Sequence, residues 1–187
     1  MIAPARAGIK PAHTIATIRI MAQKQYTHAA TWTIIAFAML GFGDKAQEYF
    51  SMINPVEHAR TKETSTKYKV EPYVMPGDIY GSGNLVGRGG WTWYTGSSSW
   101  MYKAGIEYIL GLKIEKGMLK ISPCIPKDWK EYSIRYKYEE SIYNILVKNP
   151  NSKNTGCEKF VVNGEEIESK ELKLVSDGKI YHIEVLM

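Results

Sequence analysis

Thr95-Gly96-Ser97 stand directly before a stretch with helical spacing. The first amides of a helix are unpaired, and glycine lets a ligand approach the backbone, so this tripeptide can hold an anion. An ordinary serine N-cap would look the same. The tripeptide lies in GRGGWTWYTGSSSW, residues 87–100, with Trp91, Trp93, Tyr94 and Trp100. Aromatic planes pack on the C–H faces of sugars while the indole N–H still donates a hydrogen bond. Trp100 falls on the helix face and reads as core. Trp91 and Trp93 alternate in an extended stretch, and both sugar stacking and simple packing stay open for them. His28 opens an earlier helix, where an imidazole can bind phosphate or merely lie on the surface. Glu71 and Asp78 flank a loop turn. Two carboxylates beside a sugar suggest general acid and base, or else solvated loop charges. Arg60 and Arg88 are candidate phosphate clamps, with Arg88, between glycines, the better placed. His58, in NPVEHAR, reads as a residue that holds its own loop.

The elements that must position these residues divide near residue 114. From Thr27 to Lys113 the pattern is helical. Thr27 is placed to cap a helix through HAATWTIIAFAML, with Ala29, Trp32, Ala36, Met39 and Leu40 at helical spacing. Gly41 and Gly43 end it. Asp44, with Gln47 in capping-box position, is placed to start a second helix with the stripe Ala46, Tyr49, Phe50 and Ile53. Asn54-Pro55 closes it. Ser97 is expected to cap a third helix, whose face carries Trp100, Met101, Ala104, Tyr108, Ile109 and Leu112. The stretch between the second and third helices reads as mostly loop, and a loop this long in a compact domain is usually functional or disordered. Its ring content argues against disorder. Three helices cannot bury their own faces plus the tryptophans, so this part reads as a slice of a larger all-α body.

After Lys113 the chain turns to strands. YSIRYKY (132–138) alternates and pairs with IYNILVK (142–148) as a hairpin. Asn163-Gly164 and Asp177-Gly178 read as two more hairpin turns. The expectation is an antiparallel β-sandwich, and α+β for the whole.

Composition bounds the function. The chain has 187 residues, 44% hydrophobic and 23% charged, which is globular rather than disordered. The apolar run Ile34–Leu40 falls far short of the ~20 residues of a membrane span. The charge is +5 and the pI about 9.0. The lysines are scattered through the strands, with no arginine-rich helix and no zinc or RNA-binding signature, so nucleic acid is not the expected partner. Cys124 and Cys157 stand alone without metal spacing, which suits a reduced, cytoplasmic protein. Residues 1–24 contain no acidic residue and read as a leader, in the manner of a transit peptide or a poorly folded segment.

Taken together, QYTHAATW, LGFGDKA, INPVEHAR, KVEPYV, GRGGWTWYTGSSSWMY, LGLK and ISPCIPKDW resemble, in order and spacing, glycoside hydrolase family 94. That family holds cellobiose and chitobiose phosphorylases and the C-terminal part of cyclic β-1,2-glucan synthase. HAR followed by KVEPYV, and GGWTWYTGS, resemble the β-1,2-glucan members more than cellobiose phosphorylase. The resemblance implies that residues 25–113 are the last helices of an (α/α)6 barrel and residues 114–187 a C-terminal β-sandwich. It implies inverting phosphorolysis of a β-glucan or disaccharide, with inorganic phosphate as co-substrate and no cofactor or metal. By resemblance, His28, Thr95 and Gly96 hold phosphate, and Glu71 and Asp78, with Trp91 and Trp93, line the sugar side. The family's general acid and its phosphate-binding arginines lie in earlier barrel segments, so no catalytic residue is expected here and the chain alone is expected to be inactive. The family approaches QYTHA through RENGG-like residues where this chain has IRIMAQK, which suggests that residues 1–24 are translated out of frame. Two other expectations compete: a non-enzymatic carbohydrate-binding or accessory protein, and a subunit that completes its barrel with a separate N-terminal chain or a second copy.

Overall fold

The computed structural model describes residues 24–187, apart from Tyr94. The expected leader therefore lies, but for Lys24, outside the described residues. In chain order the elements are β1 (Lys24–Tyr26), α1 (Thr27–Met39), α2 (Gly43–Ile53), α3 (Pro55–His58), α4 (Lys62–Tyr68), β2 (Asp78–Tyr80), α5 (Ser97–Lys103, continued by a π-helical turn over Ala104–Ile109), β3 (Leu112–Glu115), β4 (Met118–Ile121), β5 (Glu131–Tyr138), β6 (Ser141–Lys148), β7 (Lys159–Val162), β8 (Glu165–Glu166), β9 (Glu171–Lys173) and β10 (Ile180–Leu186).

Helix α1 buries a face other than the expected one. Thr27, Thr31, Ile34, Ile35 and Ala38 face the core, while Trp32, Met39 and Leu40 are 53, 72 and 65% exposed. The true stripe begins with two threonines that a purely apolar pattern skips. Both are satisfied: Thr31 Oγ1 donates to His28 O at 2.6 Å, and Thr27 Oγ1 donates to the Pro76 and Gly77 carbonyls. A buried hydroxyl with a partner costs little. Thr27 is thus the first helical residue rather than a side-chain cap.

Helix α2 carries the expected stripe, with Ala46 and Ile53 fully buried and Tyr49 stacked on Phe37 at 5.1 Å. Asp44 does not cap it. Its Oδ1 accepts from Lys127 N at 3.0 Å, across to the strand-rich part. Gly43 makes that approach possible, because a Cβ there would lie 2.1 Å from Ile125 O. The stretch expected to be loop holds α3, α4 and β2. Asn54 caps α3 by accepting from Val56 N, and Thr61 and Thr64 form a reciprocal capping box on α4, a device that fixes a short helix without an apolar stripe.

The strands form three sheets: β1-β2, β3-β4-β9 and β5-β6-β10-β7-β8. The β5–β6 hairpin has the expected alternation, from Tyr132 opposite Val147 to Tyr138 opposite Ser141. Asn163-Gly164 joins β7 to β8 as expected, both residues at positive φ. The larger sheet is not purely antiparallel. Strand β10 runs parallel to β6, Ile180 opposite Ile142 through Leu186 opposite Lys148. Parallel neighbours need a crossover, and the chain supplies it by passing through β9 of the smaller sheet. Asp177-Gly178 therefore links two sheets and is no hairpin. Buried residues of both parts, from Ile34 and Ile53 to Tyr143, Phe160 and Val185, form one continuous core cluster.

Candidate functional site

The site is assembled by short pairings. Strand β1 pairs with β2, placing Tyr26 opposite Asp78, so the start of α1 lies along the segment after EPYV. The glycine-aromatic run lies along the same segment: Gly77 N donates to Trp91 O at 2.5 Å, Gly90 N to Asp78 O at 2.9 Å and Tyr80 N to Arg88 O at 2.9 Å. Pro76 bridges Thr92 and Ile79 bridges Gly89. Segments distant in sequence thereby meet at the first turn of α1.

The structure brings His28 against Gly96. A Cβ on Gly96 would lie 3.5 Å from His28 Cε1 and 3.8 Å from Nδ1. Rings frame the imidazole: Trp32 edge-on at 5.0 Å, Tyr26 stacked at 5.9 Å and Trp100 tilted at 6.0 Å. His28 Nε2 is buried with no hydrogen-bond partner among the described residues. A buried polar atom left in this state costs stability unless a ligand or water meets it. Thr95 is next in the chain to Gly96, and its Oγ1 accepts from Ser97 N at 3.1 Å. Thr95, not the Ser97 side chain, therefore takes the first amide of α5. Ser97 is fully buried, with its Oγ 2.8 Å from Thr95 Oγ1.

The other sequence candidates divide. Asp78 is half-buried, and its Oδ1 accepts from Trp91 N at 3.3 Å. Its carboxylate therefore fixes the glycine-aromatic loop. Glu71 is exposed on a turn where its carbonyl accepts from Val74 N. Trp91 and Trp93 are exposed, Trp93 in the left-handed region at φ 69°. Arg88 is exposed and contributes its carbonyl to the β2 pairing. Arg60 is paired with Glu57 at 2.5 Å. His58 does hold its loop, with Nε2 2.8 Å from Met52 O and its ring stacked on Tyr68 at 4.5 Å. Trp100 packs against the core as expected, and it also meets His28. Trp32 and Tyr26 were not anticipated beside His28. For Trp32 the spacing carries the signal, since residues four apart on a helix share a face; Tyr26 lies on β1, before the helix, and no helical spacing marks it.

Among the described residues no cluster of three His, Cys, Asp or Glu side chains is placed to hold a metal ion, and no helix is long and apolar enough to cross a membrane.

These features define a mixed helix-and-sheet protein whose candidate site is made by loops meeting at helix starts. Residues 21–111 match the model of the glycosyl hydrolase 94 superfamily, catalytic domain. The chain is 48% identical over 123 residues to cyclic β-(1,2)-glucan synthase NdvB of Rhizobium meliloti, covering 66% of this chain and 4% of that protein. It is 33% identical over 145 residues to N,N'-diacetylchitobiose phosphorylase of Vibrio furnissii, covering 77% of this chain and 18% of that protein. It is 31% identical over 163 residues to solabiose phosphorylase of Paenibacillus borealis, covering 87% of this chain and 21% of that protein. The chain belongs, through residues 21–111, to the glycosyl hydrolase 94 family. Identity is higher to the glucan synthase than to these two phosphorylases, as HAR–KVEPYV and GGWTWYTGS led one to expect. The chain spans at most about a fifth of the length of these relatives.

Proposed function

We propose that the chain supplies the phosphate- and sugar-facing loops of an inverting glycoside phosphorylase or glycosyltransferase acting on β-linked glucans. In this reading residues 25–113 are the last helices of an (α/α)6 barrel, and residues 114–187 a β-sandwich behind them. The observation that carries it is the His28 imidazole set against Gly96, with Nε2 buried and unpartnered among the described residues. An imidazole, the Thr95 hydroxyl and the Gly96 amide are donors of the kind that neutralise a phosphate. Bound phosphate would attack the anomeric carbon from the face opposite the leaving group. A carboxylic acid would protonate the leaving oxygen, as in an inverting hydrolase with phosphate in place of water. That acid belongs to another part of the barrel. Asp78 is engaged with Trp91 N and is no substitute. Lacking a general acid, worth about 10²–10⁴-fold, the chain alone is inactive, and its partners are the rest of the barrel, phosphate and a β-glucan or disaccharide.

The test is inorganic phosphate titrated into the protein and followed by amide and imidazole NMR shifts. Shifts should centre on His28, Thr95 and Gly96. His28→Ala and Thr95→Ala should each weaken binding about tenfold, the worth of one hydrogen bond to a charged group. The exposed Trp91 and Trp93 rings favour a second reading, a carbohydrate-binding or accessory protein. Glucan binding that ignores phosphate and survives His28→Ala would select it.

A further inference from the structure

Thr95 Oγ1 lies 2.8 Å from Ser97 Oγ and accepts from Ser97 N at 3.1 Å. A hydroxyl has one proton to give and two lone pairs to fill. Ser97 Oγ has two acceptors within reach, Thr95 Oγ1 at 2.8 Å and Pro76 O at 3.4 Å. Pro76 O already accepts a short bond from Thr27 Oγ1, at 2.5 Å. Each acceptor already takes one bond, so distance decides: the Ser97 proton goes to Thr95 Oγ1, at 2.8 Å against 3.4 Å for Pro76 O. Both lone pairs of Thr95 are then filled from Ser97, one by its amide and one by its hydroxyl, and the proton of Thr95 is left free. Reversing the bond would spend that proton on Ser97 and leave a Thr95 lone pair facing any ligand. Ser97 is fully buried, so bulk water does not compete for its hydroxyl.

We infer that Ser97 is a positioning residue that makes Thr95 a donor only, so that the Thr95–Gly96 loop selects a ligand oxygen that accepts, as those of inorganic phosphate do. The chain of contacts is Thr27 to Pro76, Ser97 beside Pro76, and Ser97 to Thr95. It ties the turn bearing His28 to the loop bearing Thr95. The inference rests on the reading that Thr95 and Gly96 hold phosphate, and its test separates the two.

The full chain is used. Thr95 χ1 is read from three-bond couplings to its γ-methyl carbon in wild type, Ser97→Ala and Ser97→Thr, without ligand. Inorganic phosphate is then titrated. Wild type and Ser97→Thr should show one Thr95 rotamer, and Ser97→Ala a rotamer average. Ser97→Ala should also bind phosphate about tenfold more weakly, with Ser97→Thr restoring it. A Thr95 rotamer unchanged in Ser97→Ala overturns the inference, and so does phosphate binding unchanged in that variant. If wild type shows no phosphate response, the phosphate reading fails, while the couplings still decide whether Ser97 sets Thr95. Should the alanine variant not fold, Ser97→Cys, similar in size and a weak donor, is measured with the same outcomes.

Discussion

Gly90 has room for a hydrogen and nothing larger, since a Cβ there would stand 2.1 Å from Asp78 Oδ1. That oxygen is held in place by the Trp91 amide, so it cannot move without releasing the loop. Gly90→Ala should cost about 1–3 kcal/mol, the range for overpacking a fitted site, read as a lower urea midpoint. It should also broaden the Trp91 and Trp93 indole resonances. A variant as stable as wild type, with unchanged indole signals, would mean that Asp78 does not fix the loop. Asp177 makes a different prediction. Its carboxylate faces Lys179 Nζ at 3.0 Å, accepts from Lys179 N, Tyr181 OH and Ser141 Oγ, and is held down at about 2. Lys179 is the largest cause. A carboxyl whose folded value is depressed contributes stability above its unfolded value, near 3.9. That contribution fades as pH falls through the folded value. The stability gap between wild type and Asp177→Asn should therefore be full at pH 5 and shrink between about pH 4 and 2, by urea unfolding across that range. A gap that stays constant would remove Asp177 from the acid response.

At the scale of elements, Tyr143 on β6 joins the larger sheet to the stretch after β9 of the smaller one. Its side chain is fully buried. The hydroxyl donates to Val175 O at 3.0 Å and accepts from Val175 N at 2.9 Å. Tyr143→Phe keeps the ring stacked on Tyr181, 4.8 Å away, but leaves both Val175 backbone groups unmet. A loss of about 1–3 kcal/mol in urea unfolding is expected, and a loss near zero would show that solvent meets those groups instead. None of this was visible in the pattern of β6, which reveals only which side of the strand is buried. The sequence was legible where one element explains itself: the β5–β6 hairpin, the Asn163-Gly164 turn, the α2 stripe. It was not legible where a distant segment decides. Asp44 looks like a cap, but Lys127 claims its carboxylate. Asp177-Gly178 looks like a hairpin turn, but β10 pairs in parallel with β6. Thr27 and Thr31 look polar, but carbonyls make them core residues. In the candidate site, it was the family resemblance that singled out His28, Thr95 and Gly96, since their residue types alone fitted an ordinary helix cap and a surface histidine equally. The roles of Ser97 and Asp78 needed the fold, because their partners lie in other segments or are shared with a neighbouring hydroxyl.

For the whole molecule, the uneven exposure of large apolar side chains matters most. Trp32, Met39, Leu40, Phe42, Met52 and Val56 are all exposed on α1, α2, α3 and the turns between them. The sheets, by contrast, bury Tyr143, Ile145, Val147, Phe160 and Val185 almost completely. Apolar surface concentrated on one part of a molecule favours association, and a charge of +5 is a modest repulsion that salt screens over about 8–10 Å. The full chain should therefore self-associate reversibly, more strongly as salt rises. Sedimentation velocity over a hundredfold range of protein concentration would measure this. Met39→Lys with Leu40→Glu changes two exposed positions without touching the buried stripe of α1, so it should shift the distribution toward monomer while leaving the unfolding free energy in urea within about 0.5 kcal/mol of wild type. Persistent association in that variant would move the contact off the end of α1. A wild type that stays monomeric at every concentration and salt would mean that these exposed residues do not behave as an open barrel edge, and it would count against the larger helical body proposed for residues 25–113.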